Sequence, residues 1–217
     1  VSKRDAELMT QLNNVPPEKQ TVIPNGANLI DLDTLKDQDE VRADLGLSSD
    51  DIGVVFHGNC ETGTHNLEAA RYINDRLGPA FESEAEFFII GKGAPQSDQE
   101  NVTTMGFVDD LYSTLHAMDI AAVPLRSGTG TKLKMFDYMS SQLPILSTVK
   151  GTEGIDVEEE THVITNELGK DFDAALDRLT RNQELRSRIA VANRRLIKSK
   201  YNWEAIGEKL DAVYRDL

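Results

Sequence analysis

Short apolar runs recur along the chain from residue 52 onward. The runs predicted to be β-strands are Ile52–Phe56, Ala85–Ile90, Val102–Met105, Ile120–Val123, Ile145–Thr148 and His162–Thr165. Their apolar residues are mostly consecutive rather than alternating with polar residues. This pattern is typical of strands that are buried on both faces of a parallel sheet.

Segments with helical periodicity separate most of these runs. Helices are predicted over about Asn66–Leu77, Asp109–Met118 and Thr131–Gln142, and over residues 167–180, 182–199 and 203–215. The alternation indicates an α/β fold, in which right-handed crossovers bring the carboxyl ends of all strands to one edge of the sheet. We expect ligand binding at that edge.

The chain before residue 52 has a different character. We predict a short helix over Asp5–Leu12 with Asp5 as its cap, a short strand over Thr21–Ile23 and a turn at Pro24-Asn25-Gly26. Residues 28–51 are acidic and predict a solvated connection with one short helix.

The composition of the chain argues against several functional classes. The 217 residues carry a formal net charge of −14, which disfavours a nucleic-acid partner because phosphates attract basic surfaces. No stretch approaches the ~20 apolar residues of a membrane span. Cys60 is the single cysteine, which excludes an intrachain disulfide and fits a reducing compartment. The chain begins with Val1 rather than Met, so we expect a cut or processed chain. It carries no signal-peptide pattern, and we expect a cytoplasmic protein.

A glycine-rich loop follows the predicted strand Ile120–Val123. Its sequence is Ser127-Gly128-Thr129-Gly130-Thr131-Lys132-Leu133-Lys134, and a helix is predicted to begin within it. Free amide groups, the positive end of that helix and two lysines favour an anion such as a diphosphate. The spacing fits neither a Walker motif nor a dinucleotide fingerprint. A flexible turn capped by Thr131 is the alternative interpretation.

Asp137 lies three residues after Lys134 and shares a face of the predicted helix with it. A carboxylate there can accept hydrogen bonds from two vicinal hydroxyls, such as those of a ribose. An ordinary exposed ion pair, worth about 0.3–0.5 kcal/mol, is the simpler interpretation of the same spacing.

His57, Cys60 and His65 are close enough in sequence to invite comparison with a metal site. Their spacing matches no zinc pattern and a fourth ligand is lacking, so we expect no metal. We interpret His57, which follows a predicted strand, as a cleft-lining residue. No Gly-x-Ser-x-Gly or His-Glu-x-x-His motif occurs, so the standard hydrolase signatures are absent.

The segment Arg178–Lys200 is strongly basic, with eight lysines and arginines and one acid, Glu184. A solvated helix face in an acidic protein is the favoured interpretation. The alternative is a peripheral contact with anionic lipid headgroups at the inner face of a membrane.

Several motifs occur in the order found in one enzyme family. The segment Gly106–Ser147 combines a Gly-Phe-Val start, a helix, an Asp before a Pro, the glycine-rich loop and a Pro-Ile-Leu-Ser end. Pro24-Asn25-Gly26 is similar to that family's interdomain junction, and His65–Ala69 to the start of its first helix. The chain thus resembles the C-terminal, donor-binding half of group 1 glycosyltransferases of family 4 type, which have the GT-B fold.

The resemblance implies a Rossmann-like parallel sheet flanked by helices. Residues 1–24 would be the remnant of an N-terminal domain and the interdomain linker, and residues 25–217 a nucleotide-sugar donor-binding domain. The implied reaction is a retaining, metal-independent transfer from a nucleoside-diphosphate sugar, expected to be a UDP-sugar. The implied acceptor is a glycan or a lipid-linked molecule, and no cofactor is expected.

The resemblance also implies roles for individual residues. It implies that the ribose is bound by Asp137, that His57 and Asn59 lie on the sugar side, and that Gly91, Lys92, Phe107 and Val108 surround the base. The residues that it implies for binding the donor diphosphate are Gly58, Ser127, Gly128, Thr129, Gly130, Thr131, Lys132 and Lys134. In this family the donor phosphate itself assists the reaction. We therefore name no catalytic residue on this half.

The sequence departs from the family at three points. Thr129 stands where the family has its first acidic residue, and the second acid is the shorter Asp137. The arginine and lysine that usually follow the first strand are replaced by Asn59 and a residue near His65. One subgroup likewise has a Gly-Thr loop in place of the first acid. Donor affinity would then depend more on Lys132, Lys134 and the helix end.

Three functions stay open at this point. They are the donor half of a glycosyltransferase, a non-catalytic nucleotide-sugar-binding or regulatory module, and another GT-B enzyme such as a nucleotide-sugar epimerase. The loop Arg126–Lys134 argues against the third. We expect the chain to be inactive alone, because the N-terminal domain supplies the acceptor site in the GT-B plan. We also expect Ile206, Leu210 and Val213 of the last helix to be partly exposed where that helix crosses to the other domain.

Overall fold

A computed structural model describes residues 2–215 of the chain. Within this range six strands form one sheet in the order β3-β2-β1-β4-β5-β6, and every neighbouring pair is parallel. The strands are β1 Gly53–His57, β2 Glu86–Ile90, β3 Val102–Met105, β4 Ile120–Val123, β5 Ile145–Ser147 and β6 Ile164–Thr165. The predicted α/β class and parallel sheet are confirmed.

Helices accompany the sheet along the chain. They are α1 Lys3–Asn13, α2 Gln38–Asp44, α3 Thr64–Tyr72, α4 Gly78–Ala80, α5 Leu111–His116, α6 Lys134–Ser140, α7 Val149–Thr152, α8 Lys170–Arg181, α9 Gln183–Leu196 and α10 Trp203–Arg215. Turns of π-helix, Ile73–Leu77 and Ile197–Tyr201, extend α3 and α9, and 3₁₀ turns lie at Pro17–Lys19 and Leu32–Thr34. No helix in the part of the chain described here is long and apolar enough to cross a membrane.

The core lies on both faces of the sheet. Residues 54–56 of β1 and 87–90 of β2 are all buried, as consecutive apolar residues of a covered parallel strand should be. The largest buried side chain, Tyr138 of α6, also has a polar role. Its hydroxyl oxygen accepts a hydrogen bond of 2.8 Å from the backbone N–H of His57, so α6 is fixed to the end of β1.

The strand order determines where a ligand can bind. The chain runs outward from β1 to β3 on one side and from β4 to β6 on the other. The loops that follow β1 and β4 therefore diverge at the carboxyl edge, and such a divergence opens a crevice. Gly58 follows β1, and the glycine-rich loop follows β4, so the topology places both at this crevice.

The first helix differs from its prediction. It begins at Lys3, and its cap is Ser2 rather than Asp5. The Ser2 hydroxyl oxygen accepts a hydrogen bond of 3.1 Å from the Asp5 N–H, and Ser2 in turn donates to the Asp5 carboxylate at 2.7 Å. A short hydroxyl side chain on an extended residue reaches the third helical amide, which explains why the helix begins two residues earlier than predicted.

The strand predicted over Thr21–Ile23 is wrong. This segment joins no strand among the described residues, and the nearby sheet-like pairing is a single bridge between Ala27 and Asn202. Pro24 follows the segment directly and lacks the N–H that a ladder requires. The short helix predicted within residues 28–51 is present as α2.

The last helix is only partly as predicted. Leu210 is exposed and Val213 half-buried, but Ile206 is buried. Ile206 lies in the first turn of α10, which packs against the π-helical turn at the end of α9. Trp203, at the start of α10, is exposed but lies close to Gly26, where an added Cβ would be 2.4 Å from the ring.

Candidate functional site

A cavity of about 250 Å³ opens at the carboxyl edge of β1 and β2. It is lined by His57, Gly58, Asn59, Ile90, Gly91, Lys92, Gly106, Phe107, Val108 and Leu111. The residues predicted to surround the base and those predicted on the sugar side therefore share one cavity. Phe107 is 76% exposed at its rim, so an aromatic ring is available to a flat ligand. We call this space the sheet-edge cavity.

Two glycines allow the ends of β1 and β2 to approach closely in this cavity. Gly91 has φ of +137°, and a Cβ at that position would lie 2.1 Å from the Gly58 carbonyl oxygen. A Cβ at Gly58 would lie 2.5 Å from the ammonium nitrogen of Lys134. A side chain is thus excluded at Gly91, where it would meet backbone atoms, whereas one at Gly58 would displace the Lys134 and Asn66 side chains.

Lys134 is half-buried, with its ammonium next to Gly58. Its ammonium donates a hydrogen bond of 2.6 Å to Asn66 Oδ1 and sits 4.1 Å from the centre of the Phe56 ring. Burial, the largest effect, lowers the pKa of Lys134 to about 7, and Lys132 lowers it further while Cys60 and Asp137 oppose the shift. A bound anion would raise this pKa, because opposite charge favours the ammonium form.

His57 is a neutral imidazole at this site. Burial, followed by the charge of Lys134, lowers its pKa to about 3. Its Nε2 lies 3.5 Å from Asp137 Oδ2 and is buried without a hydrogen bond. The two residues therefore lie side by side without forming an ion pair, and Nε2 is an unpaired polar atom beside the sheet-edge cavity.

Asp137 is half-buried and held by a residue that the sequence did not single out. The Tyr112 hydroxyl donates a hydrogen bond of 2.9 Å to Asp137 Oδ1, and burial raises the pKa of Tyr112 to about 12. Oδ2 points to the His57 side of the site. The interpretation of Asp137 as an exposed partner of Lys134 is wrong, because Lys134 turns inward to Asn66.

The glycine-rich loop has a more specific geometry than a flexible turn. Gly128 and Gly130 have φ of +109° and +71°. Lys132 is 6% exposed and donates hydrogen bonds to the carbonyl oxygens of Thr129 and Gly130, at 3.1 and 2.8 Å. Lys132 therefore holds the loop in shape, which leaves Lys134 as the lysine next to Gly58.

Helix α6 begins three residues later than predicted, at Lys134, and is only seven residues long. The residues Thr131–Leu133 remain part of the loop. The expected contribution of a helix end to anion binding is therefore small, because the dipole effect depends on an extended run of peptide units. Loop amides and the Lys134 ammonium are the groups available to an anion.

The loop contacts α3 and also lines a second cavity. A Cβ at Gly128 would lie 3.3 Å from the His65 ring, and the Ser127 hydroxyl donates to Glu68 at 3.3 Å. The second cavity, of about 210 Å³, is lined by Ser2, Arg4, Asp5, Leu8, Gly128, Thr129, Gly130, Lys150, Glu153 and Gly154. We call it the loop cavity. The sequence did not point to Lys150 or Glu153.

The described residues contain no group of three or more His, Cys, Asp or Glu side chains placed to hold a metal ion. Cys60 is buried, and burial raises the pKa of its thiol. Its Sγ lies 3.6 Å from the Gly58 carbonyl oxygen. We infer a packing role for this thiol from that environment.

Much of the basic segment Arg178–Lys200 is engaged within the protein. Arg178 pairs with Glu160, Arg181 with Asp177 and Lys200 with Asp156. Arg186 donates to the carbonyl oxygens of residues 179 and 180, and Arg194 to those of residues 30 and 140. These contacts agree with the favoured interpretation of a helix face within an acidic protein, and a lipid contact stays a prediction.

The family model for group 1 glycosyl transferases matches residues 51–182, which is more than half of the chain. The chain belongs to the group 1 glycosyltransferases. The matched range of this glycosyltransferase chain includes the whole sheet, the sheet-edge cavity and the glycine-rich loop. No curated protein sequence gives a significant match.

Solved structures show the same fold. A glycosyltransferase from Rickettsia africae aligns with a TM-score of 0.79 and 13% identity over 100% of this chain and 62% of its own. A sucrose-phosphate synthase from Thermosynechococcus elongatus gives 0.76 and 17% over 100% and 57%. Anabaena HepE, solved in complex with UDP-glucose, gives 0.72 and 15% over 100% and 62%. The glycosyltransferase chain therefore spans about 60% of the length of these structures.

Proposed function

We propose that this chain binds the donor of a sugar-transfer reaction, a nucleoside-diphosphate sugar. One juxtaposition carries the proposal. The half-buried ammonium of Lys134 lies next to Gly58, which lines the sheet-edge cavity, and it donates to Asn66 of α3, the helix that the glycine-rich loop contacts at His65. We expect the nucleoside in the sheet-edge cavity, and the diphosphate at Lys134 and the loop amides.

The nucleoside end of the donor would occupy the sheet-edge cavity. Phe107 and Val108 offer apolar surface to the base, and Gly91 and Lys92 offer backbone groups. Asp137, oriented by Tyr112, would accept hydrogen bonds from the ribose hydroxyls. The diphosphate would cross Gly58 and Lys134 to the loop amides of residues 127–131. The UDP-glucose complex of Anabaena HepE supports a UDP-sugar as the first donor to test.

The proposed reaction is sugar transfer with retained anomeric configuration and without a metal ion. A glycan or a lipid-linked molecule is the proposed acceptor. We propose that the chain binds the donor without transferring sugar, because transfer also requires an acceptor site. When joined to the acceptor-binding domain of a group 1 enzyme, the chain should transfer sugar, whereas a purely regulatory module would bind the donor and stay inactive in that fusion.

Thermal shift with UDP, GDP, dTDP and ADP tests donor binding. A nucleotide at ~100 times its dissociation constant stabilises the folded state by roughly 2.7 kcal/mol. We expect one nucleotide to raise the Tm of the chain, the same nucleotide to fail with Lys134→Ala, and the shift to persist in Lys170→Ala, which changes an exposed lysine at the start of α8. Equal shifts in both variants, or none in the unmodified chain, would contradict the proposal.

A further inference from the structure

The loop cavity brings a carboxylate close to Thr129, the position at which the family this chain resembles has its first acid. Thr129 itself lines the cavity but has no carboxylate. Glu153 lines the same cavity from the end of α7. We propose that the Glu153 carboxylate binds the hydroxyl groups of the donor sugar and so contributes to sugar specificity. This inference rests on the proposed function.

The position of the cavity along the site supports this assignment. Lys134 contacts Gly58, which lines the sheet-edge cavity, and Asn66, which follows His65 in α3. His65 lies against Gly128, and Gly128 lines the loop cavity. Gly128, Thr129 and Gly130 belong to the loop proposed to hold the diphosphate, and the same three residues line the loop cavity. A sugar attached to a diphosphate on this loop would therefore lie next to the loop cavity.

Glu153 is held in place by neighbours on both sides. Its Oε2 accepts a hydrogen bond of 2.8 Å from Lys150, and its Oε1 lies 3.7 Å from Arg4 Nε. The second distance is beyond hydrogen-bond range, so Oε1 retains capacity for a hydroxyl donor. The side chain is 23% exposed, which gives a ligand access while limiting competition from water.

The following glycine fixes the direction of this turn. Gly154 has φ of +83°, and a Cβ there would lie 2.7 Å from Thr131 Oγ1, at the end of the glycine-rich loop. Thr131 Oγ1 is itself buried without a hydrogen bond. The turn that carries Glu153 is thus packed directly on the loop proposed to hold the diphosphate.

The charge of the cavity indicates the class of sugar. Two basic residues, Arg4 and Lys150, and two acidic ones, Asp5 and Glu153, line it. The two positive and the two negative charges cancel, so the cavity has no excess positive charge with which to attract a sugar carboxylate. A neutral sugar with free hydroxyls fits this set, because carboxylates accept and ammonium or guanidinium groups donate hydrogen bonds.

Isothermal titration with paired ligands tests the inference. The pairs are UDP with UDP-glucose, UDP-galactose, UDP-N-acetylglucosamine and UDP-glucuronate, GDP with GDP-mannose, and dTDP with dTDP-rhamnose. The quantity of interest is the gain in affinity that the sugar adds to its nucleotide. We expect at least one neutral sugar to add fivefold or more, and UDP-glucuronate to add less.

Glu153→Gln should abolish that gain while it leaves the Kd of the bare nucleotide within about twofold. Glu167→Gln, an exposed loop position, is the matched control and should keep the gain. A merely structural Glu153 would lower Tm without changing the gain selectively. A gain retained in Glu153→Gln, or the absence of any gain in the unmodified chain, would overturn the inference, whereas failure of every bare nucleotide to bind would contradict the proposed function instead.

Discussion

The Lys134 ammonium donates a hydrogen bond of 2.6 Å to Asn66 Oδ1 and lies next to Gly58. This contact carries a cation from α6 across the crevice to the side formed by β1 and α3. The sequence lacks the arginine and lysine expected after β1 in the family it resembles. The structure therefore provides positive charge on that side of the crevice from a different element.

The burial of Lys134 predicts that nucleotide binding, as proposed, depends on pH. Because the pKa of Lys134 is about 7, the free protein loses the ammonium charge as pH rises above neutrality. A bound diphosphate favours the protonated form, so binding must take up a proton above pH 7. We expect the affinity for the nucleotide to fall up to tenfold per pH unit between pH 7 and 9. Isothermal titration in buffers of different ionisation enthalpy measures both effects.

The variant Lys134→Met is the control for this pH dependence. It should bind the nucleotide weakly with an almost flat profile over the same range. His57 does not complicate the measurement, since its pKa of about 3 keeps it neutral. If Lys134→Met kept the slope, another group would be responsible for the proton uptake.

The same lysine should affect the stability of the unliganded protein. Its pKa is lowered on folding, so between about pH 7 and its unfolded pKa the unfolded chain binds more protons than the folded chain. The free energy of unfolding contributed by Lys134 therefore rises with pH in that window, by up to about 1.4 kcal/mol per unit. Below pH 7 this contribution is constant, because both states are increasingly protonated.

Urea denaturation of the unmodified chain and of Lys134→Met at pH 6, 7, 8 and 9 measures this contribution of Lys134 to the free energy of unfolding. The difference between the two free energies of unfolding should change little from pH 6 to 7 and then move in favour of the unmodified chain. Parallel curves across all four pH values would show that Lys134 keeps an ordinary pKa in the folded state. The experiment needs no ligand and so is independent of the proposed function.

Asp137 leads to a prediction about the ribose. Asp137→Asn keeps an oxygen that can accept the Tyr112 hydrogen bond but loses the charge that strengthens bonds from ribose hydroxyls. Hydrogen bonds to charged groups contribute about 1.5–3 kcal/mol, so we expect the Kd for UDP to rise tenfold or more. The chain should bind dUDP more weakly than UDP, and Asp137→Asn should reduce that difference. Equal discrimination in both proteins would place the ribose elsewhere.

Much of the fold could be predicted because the signals are local. β3 and β4 have the predicted bounds, since Asn101 and Gly106 flank the first and Asp119 and Pro124 the second. The start of α6 could not be predicted in the same way. Thr131, Lys132 and Leu133 are compatible with a helix, but hydrogen bonds from Lys132 to the Thr129 and Gly130 carbonyls hold the loop open.

The site was partly predictable for a related reason. Glycines after strands mark loops at the carboxyl edge, so Gly58, Gly91 and the glycine-rich loop could be located from sequence. The direction in which a side chain points, and the group with which it forms a hydrogen bond, depend on tertiary packing. Nothing local shows that Lys134 turns to Asn66, that Tyr112 holds Asp137, or that Glu153 meets the loop some 20 residues earlier.

The close approach of Gly91 and Gly58 gives a prediction about stability and binding together. In Gly91→Ala the new methyl group would lie 2.1 Å from the Gly58 carbonyl oxygen, at a φ of +137° that other residues rarely adopt. We expect a loss of about 2 kcal/mol or more in the free energy of unfolding, and weaker nucleotide binding because the sheet-edge cavity must deform.

Gly207→Ala provides the matched control. Gly207 lies inside α10, and nothing lies within 4 Å of an added Cβ there. Alanine in a helix interior is favoured over glycine, so this variant should gain about 0.5–1 kcal/mol and keep nucleotide affinity. Urea denaturation and titration with the same nucleotide measure both variants. If Gly91→Ala proved as stable as Gly207→Ala and bound the nucleotide equally well, the tight contact between the ends of β1 and β2 would not be what shapes the cavity.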